Sequence, residues 1–232
     1  MDQLSFRIND RDILVYRSIF TPVKSNMFVL LSGNEAVVFD PNENQELLQL
    51  FEEKKIEKVH ILQTHEHYDH TSGVNWLKAH TGADVYCQKD CADVITTERG
   101  NNPALVALVL ADRDKQDGGH RYKDFQTHFK PYTIEVDKTF EKEDRFVIGE
   151  LEFHVVSTPG HCPGAACYEL FNKMVFTGDT LLQKDPVILS FRESRKDNYE
   201  KIALPYLRSL PKDSIIMPGH GDPFRLKDTD NI

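Results

Sequence analysis

The segment THEHYDH sets three imidazoles and a carboxylate, His65, His67, Asp69 and His70, within six residues. It follows the apolar run KVHILQ, so it stands where a buried strand ends, a usual place for a site on an α/β scaffold. In extended backbone alternate side chains point the same way, so His65 and His67 can address one metal together. A turn after Tyr68 then aims Asp69 and His70 at a position beside it. Imidazole and carboxylate suit zinc, and also iron or manganese. The bland alternative is a solvated polar loop. It suits a lone histidine, not three with an aspartate at this spacing.

Three later segments repeat the arrangement. STPGH places His161 at a Pro-Gly turn, FTGDT places Asp179 after a glycine, and MPGHGDP places His220 between glycines. Each ends an apolar run, and glycine there permits close backbone approach. Gly-Asp or Pro-Gly-His alone is an ordinary turn. Together with THEHYDH they form a metal-ligand set. No G-x-S-x-G nucleophile motif accompanies them.

The elements that must carry these turns alternate in two rounds. LSFRI, DILVYRSI, MFVLLS and EAVVFD read as strands, and residues 42–54 as a helix with Leu47, Leu50 and Phe51 on one face. GVNWLKAHTG reads as a helix with a glycine stop, and DVYCQ as a strand. From Pro131 the strands are YTIEV, DRFVI, LEFHVV, ACYEL and KMVFT, followed by a helix over 198–210 and the strand SIIMP. Residues 91–130 are the least regular part, with helix-like PALVALVLAD and then polar RDKQDGGHRYKDF, and read as a lid or insertion over the active-site face. Strand-rich halves with interspersed helices predict an α/β sandwich, sheet on sheet with helices outside, in one domain over 1–232.

Composition narrows the partners. A net charge of −9 over 232 residues argues against a nucleic-acid or anionic-membrane surface, while a local basic pocket for an anionic small molecule remains open. No apolar run approaches the ~20 residues that span a bilayer, and the N-terminus lacks a secretory pattern, so a cytoplasmic protein is expected. Cys87, Cys91, Cys162 and Cys167 have neither zinc-knuckle spacing nor the density of a disulfide framework, and read as reduced structural thiols. Cys162 is the one to watch, because it follows His161. The sequence is silent on oligomeric state.

The whole set resembles the metallo-β-lactamase fold superfamily: H-x-H-x-D-H, then a distant His, Asp and His in that order, from Asp40 in VVFDP through His220. That resemblance implies a four-layer αββα sandwich of two mixed sheets with helices on the outer faces and the site at one edge. It implies that His65, His67 and His161 hold a first metal, that Asp69, His70 and His220 hold a second, and that Asp179 bridges them. Two divalent ions follow, zinc expected, with iron or manganese as alternatives. Asp40 either fixes the second ring nitrogen of a ligand histidine or merely caps a strand end. Water activated between the two ions is the implied nucleophile, and Asp69 is a candidate to pass a proton to the leaving group.

TPGHCPGAACYEL and VFTGDTLL look most like the hydroxyacylglutathione hydrolase (glyoxalase II) branch, in a short form without the C-terminal helical region that helps hold glutathione. The expected reaction is hydrolysis of a thioester or a related ester or lactone. A phosphodiesterase of the same fold, a mononuclear iron persulfide dioxygenase and a non-catalytic binding protein are the alternatives. For substrate contacts, Lys184, Arg192 and Arg195 follow Asp179 and could take a carboxylate or phosphate, or be solvated surface charges. Tyr68 lines the pocket or packs under the loop, and Trp76 belongs to the core. His60, His80, His120, His128 and His154 lie outside ligand-type turns and read as structural or surface residues, His120 beside Gly118 and Gly119 being the least secure of them.

Overall fold

The structure, a computed structural model, describes residues 1–98 and 100–232. Strands β1 (Asp2–Ile8), β2 (Arg11–Phe20), β3 (Ser25–Ser32) and β4 (Glu35–Phe39) form an antiparallel meander. Helix α1 (Gln45–Lys54) then returns the chain to β5 (Lys58–Leu62), which pairs parallel with β4. The short α2 (Tyr68–Thr71) and α3 (Val74–Thr81) lead to β6 (Asp84–Gln88). Helices α4 (Lys89–Ile95), α5 (Ala104–Asp117) and α6 (Arg121–His128) precede β7 (Lys138–Phe140), and β5, β6 and β7 pair in parallel.

A second sheet begins with the antiparallel strands β8 (Glu143–Ile148), β9 (Leu151–Ser157), β10 (Ala166–Leu170) and β11 (Met174–Gly178). Helix α7 (Lys196–Asn198), a π turn over Tyr199–Ala203 and α8 (Leu204–Ser209) carry the chain to β12 (Ile215–Pro218), parallel to β11. The two-residue β13 (Phe224–Arg225) closes the edge.

Side-chain alternation explains why the sheets stack. On β3 and β4, Phe28, Leu30, Val37 and Phe39 point to the other sheet and meet Phe153, Tyr168 and Phe176. Their neighbours Met27, Val29, Ala36 and Val38 point the other way and meet Leu47 and Phe51 of α1 and Val74 and Leu77 of α3. A strand buried on both faces reads as a continuous apolar run, as MFVLL does. Phe39 stacks on Phe176 at 3.8 Å between centroids and 7° between planes. Beyond the second sheet, Val175 and Ile216 pack on Tyr199, Ala203 and Leu207. The layers are helix, sheet, sheet, helix, so the expected αββα sandwich of two mixed sheets is the fold.

Three local expectations are corrected. YTIEV is not a strand: residues 131–137 run irregularly, and pairing begins only at Lys138. Its apolar side chains are satisfied by packing, with Ile134 buried and its N–H bonded to the Ile95 carbonyl at 2.9 Å. Asn75 and Lys78 of α3 cap the Thr133 and Glu135 carbonyls. β-propensity records this kind of burial as well as ladder pairing. The helix expected over 198–210 is interrupted by the π turn just before Pro205, which has no N–H to give the preceding turn. Residues 91–130, expected to be largely irregular, are mostly helical. Val106, Ala107 and Leu110 of α5 and Phe125 of α6 pack on Val23 and Tyr68; Arg99 lies outside the described residues.

Pairing directions bring the four ligand-bearing turns to one end. Strands β9, β11 and β12 run the same way, so the residues after each emerge together. The end of β5 joins them through Ala166 N–H to the Thr64 carbonyl, 2.8 Å, and Tyr168 Oη to the Gln63 carbonyl, 2.9 Å. Among the described residues no helix is long and apolar enough to cross a membrane.

Candidate metal centre

Each turn delivers its side chain to a common point. His65 leaves the end of β5, and His67 opens the single turn of α2, which carries Asp69 and His70. His161 follows β9, Asp179 follows β11 and His220 follows β12. His65, His67 and His161 offer nitrogens within 4.8 Å of one another, and so do the ligand atoms of Asp69, His70 and His220. Asp179 joins the two groups: its Oδ2 lies 3.6 Å from His161 Nε2 and 3.4 Å from His220 Nε2, and its Oδ1 lies 3.5 Å from His70 Nε2. Asp69 Oδ2 is 3.4 Å from both His70 Nε2 and His220 Nε2. All seven side chains singled out in the sequence come together.

Two glycines set this spacing. Gly178 has φ +49°, and a Cβ there would lie 2.8 Å from Thr64 Cβ and collide with Thr64 Oγ1. A Cβ at Gly219 would collide with Asp179 Oδ1 and lie 2.9 Å from His70 Cε1. Any larger residue would push Asp179 or the His65 strand end out of register.

Hydrogen bonds orient the rings. His161 Nδ1 donates to the Ile188 carbonyl at 2.9 Å, and His70 Nδ1 donates to Asp40 Oδ2 at 2.8 Å. His65 Nδ1 lies 3.0 Å from Thr64 Oγ1, whose hydroxyl donates to Asp40 Oδ2 at 2.5 Å. His67 Nε2 faces Glu193 Oε1 at 3.4 Å. These partners assign the tautomers: Nε2 of His65, His70 and His161 and Nδ1 of His67 are left facing inward. His161 Nε2 and His67 Nδ1 are 3.0 Å apart, a distance at which two lone pairs repel unless a cation lies against both. His65 Nε2, His70 Nε2 and Asp179 Oδ1 are buried without a hydrogen-bond partner among the described residues. Each such atom costs about 1–3 kcal/mol, and three around one point fit a divalent-ion centre.

Asp40 does more than cap a strand. Besides His70 and the Thr64 hydroxyl it accepts the Thr64 N–H at 2.7 Å and Gln63 Nε2 at 2.9 Å, and it is buried. Its φ of +48° is left-handed, a strained setting for a residue with a side chain, held here by four bonds. One carboxylate thereby orients a histidine of each triad, His70 directly and His65 through Thr64.

The electrostatics differ across the centre. Burial, reinforced by His70 and His67, holds the His65 imidazole well below its usual value. Burial and His67 bring His161 down to about 4. Burial opposes charge on His70 as well, but Asp69, Asp179 and Asp40 outweigh it and raise the ring to about 9. Burial would raise Asp69, yet His70 and His220 bring it down to about 2.

Other expectations resolve as follows. Tyr68 both lines the cavity over the centre and packs, its hydroxyl donating to the Lys130 carbonyl at 3.1 Å and its ring lying 5.2 Å from Tyr132. Arg195 spends its guanidinium on the Arg192 and Ser194 carbonyls, and Lys184 is exposed; neither lines that cavity. Arg192 lines a neighbouring cavity with Glu66 and His67. Trp76 is partly buried against the core around α1 and α3. His60 and His154 pair with Glu35 and Glu169, and His80 and His128 bond to carbonyls one helical turn back. His120 sits just before α6. The Cys162 thiol donates to Glu66 Oε2 at 3.2 Å, and burial pushes it well above the ordinary range, so it is an inert neighbour.

Sequence reasoning missed several supports. Gln63 Nε2 also donates to the carbonyls of His65 and His70, each at 3.0 Å, and fixes the shape of the ligand turn. Asn26 Nδ2 clamps the His220 turn through the Pro218 and Gly221 carbonyls, and Ser25 Oγ holds the Asp69 carbonyl. The one available signal was polar residues inside otherwise apolar strand ends: Gln63 and Thr64 in KVHILQT, and Ser25 and Asn26 before MFVLL.

The model of the Metallo-beta-lactamase superfamily matches residues 20–220. The chain is 31% identical to Glyoxylase B2 of Dictyostelium discoideum over 60% of its own length and 41% of that protein's. It is 30% identical to the Hydroxyacylglutathione hydrolase of Pelagibacter ubique over 84% of its length and 65% of that enzyme's. It therefore spans less than two thirds of either relative. Among solved structures, TTHA1623 in a di-iron-bound form superposes with a TM-score of 0.70 at 23% identity, covering 92% of this chain and 96% of that one. With the fold and the match over most of its length agreeing, this chain belongs to the metallo-beta-lactamase superfamily.

Proposed function

We propose that the chain is a binuclear metallo-hydrolase that cleaves a thioester, or a related ester or lactone, of a small molecule. The observation that carries this reading is Asp179, whose carboxylate stands within 3.6 Å of a histidine of each triad. In this reading His65, His67 and His161 hold one ion, Asp69, His70 and His220 the other, and Asp179 both. Zinc is the expected metal, with iron or manganese as alternatives.

A bound pair of divalent ions would supply a Lewis acid for the carbonyl and bring the pKa of bound water down to roughly 7. The chain's own residues do the rest. Asp40, Thr64, Glu193 and the Ile188 carbonyl fix the ring tautomers so that the inward nitrogens stay available. Asp69, a carboxylate at neutral pH, accepts a proton from the incoming water and returns it to the departing group. Val106 and Val109 of α5 and Ile188 and Phe191 wall the cavity and limit access of bulk water, so the segment 91–130 serves as cover. The similarity to a Hydroxyacylglutathione hydrolase favours a thioester. The four unpaired cysteines suit a cytoplasmic setting, and the net charge of −9 argues against nucleic-acid partners.

Metal analysis of the purified protein, paired with turnover of S-lactoylglutathione, a simple acyl thioester, a lactone and a phosphodiester, tests this. About two ions per chain with thioester or lactone turnover is expected. A single iron with sulfide-dependent oxygen uptake would overturn it.

A further inference from the structure

Above the seven ligand-type residues lies a cavity of about 360 Å³. Its walls are apolar: Val23 from the β2–β3 turn, Leu105 and Val109 from α5, and Leu182, Ile188 and Phe191 from the loop after Asp179. Two cationic side chains other than histidine reach it, Lys24 and Arg113, and one carboxylate outside the centre, Asp185. Lys24 and Arg113 also line the adjoining cavity under α5 and α6, so they stand where the two spaces meet. Among the described residues neither has a carboxylate partner; Arg113 reaches only the Pro22 carbonyl, at 3.5 Å. That contrasts with Arg121 on the far side of the same adjoining cavity, which is held by Asp114 and Asp117.

We propose that Lys24 and Arg113 form the specificity site of this centre, taking a carboxylate that terminates an apolar chain of the substrate. The proposal rests on the hydrolase reading for the identity of the reacting bond, and on the cavity alone for the anion. Three features support it. An apolar-walled cavity selects hydrocarbon between the reacting carbonyl and the next polar group. Two cations on its wall, with no carboxylate partner among the described residues, give charge-assisted hydrogen bonds, and a planar guanidinium suits a carboxylate in particular. Backbone geometry also holds Lys24 in place: its φ is +66°, and its N–H donates to the Phe20 carbonyl at 2.8 Å. Lys184, Arg192 and Arg195, the candidates offered by proximity in sequence to Asp179, do not line the cavity.

The probe is 7-oxooctanoate, a methyl ketone that mimics the thioester carbonyl and ends in a carboxylate, compared with its neutral N-methylamide. Their dissociation constants are measured by calorimetry on zinc-loaded protein, for the wild type, Lys24→Gln, Arg113→Gln and the double variant. Gln suits these exposed positions, and thermal unfolding verifies that each variant is folded. Wild type should bind the carboxylate about tenfold or more tightly than the amide, each single variant should lose most of that preference, and the double variant all of it. Equal affinity for the two probes in wild type, or a preference that survives the double substitution, overturns the proposal. Hydrolysis of the matching S-methyl monothioester of pimelic acid is followed separately. If the carboxylate preference behaves as expected and that thioester is inert, the reacting bond was misread and the anion site stands.

Discussion

The two triads of the centre reach the same goal by opposite electrostatics. His65, His67 and His161 are three imidazoles crowded together, and burial with mutual repulsion keeps His65 and His161 neutral. Asp69, His70 and His220 interleave carboxylate and imidazole, and the acids hold His70 at about 9. His65 and His161 therefore present free nitrogens at neutral pH. The second triad is already balanced by protons, which a cation must displace. The difference teaches that two clusters of similar residue types can store different charge, so a cation meets free nitrogens in one and protons in the other.

Asp179 is common to both triads, so its loss should erase the difference between them. Asp179→Ala is expected to reduce bound metal to background and activity by about a thousandfold or more, beyond the ~10–100-fold typical of a supporting partner. Elemental analysis with turnover measures both. Full turnover without that carboxylate would defeat the bridging role.

Single-ligand changes should separate the halves. His161→Ala should empty the first position and His220→Ala the second, each leaving about one ion per chain, with activity down by about a hundredfold or more. Loss of both ions from either variant would mean that the triads do not act as separable sites.

Asp40→Asn tests the support that the triads share, through His70 directly and His65 by way of Thr64. It should weaken metal binding by about 10–100-fold while leaving the fold intact. Competition against a chromogenic chelator reports it, and an unchanged affinity would reduce Asp40 to a strand cap.

The smallest effect is the pH dependence of stability in chelator-stripped protein. His161 has a depressed pKa of about 4, so its contribution is full above an unfolded value near 6.5 and is lost as pH falls through 4. His70 has a raised pKa of about 9, so its contribution is full below about 6.5 and is lost as pH rises through 9. Melting temperature should therefore decline on both sides, and His161→Asn should flatten the acid limb while His70→Asn flattens the alkaline one. A profile untouched by either change would remove the contrast between the triads.

The convergence of the seven side chains was legible because metal chemistry demands particular residue types and because glycines mark the turns that admit them. Strands were legible where the apolar run was long, as in MFVLL and EAVVF, since both faces had to be buried. YTIEV misled because its burial is met by α3 and α4 rather than by a ladder. Proximity in sequence to Asp179 suggested Lys184 and Arg195, whereas the cations on the cavity come from the β2–β3 turn and α5.

By itself the sequence determined the candidate ligands and the fold that carries them, because side-chain chemistry and hydrophobic period are local properties of the chain. Tertiary structure alone decided which supports hold those ligands and which charges face the cavity. Those depend on contacts such as Asn26 with the Pro218 carbonyl, or Lys24 beside Arg113, that link residues far apart in the chain. No local pattern encodes such a contact; it exists only once the sheets have stacked and brought the turns together.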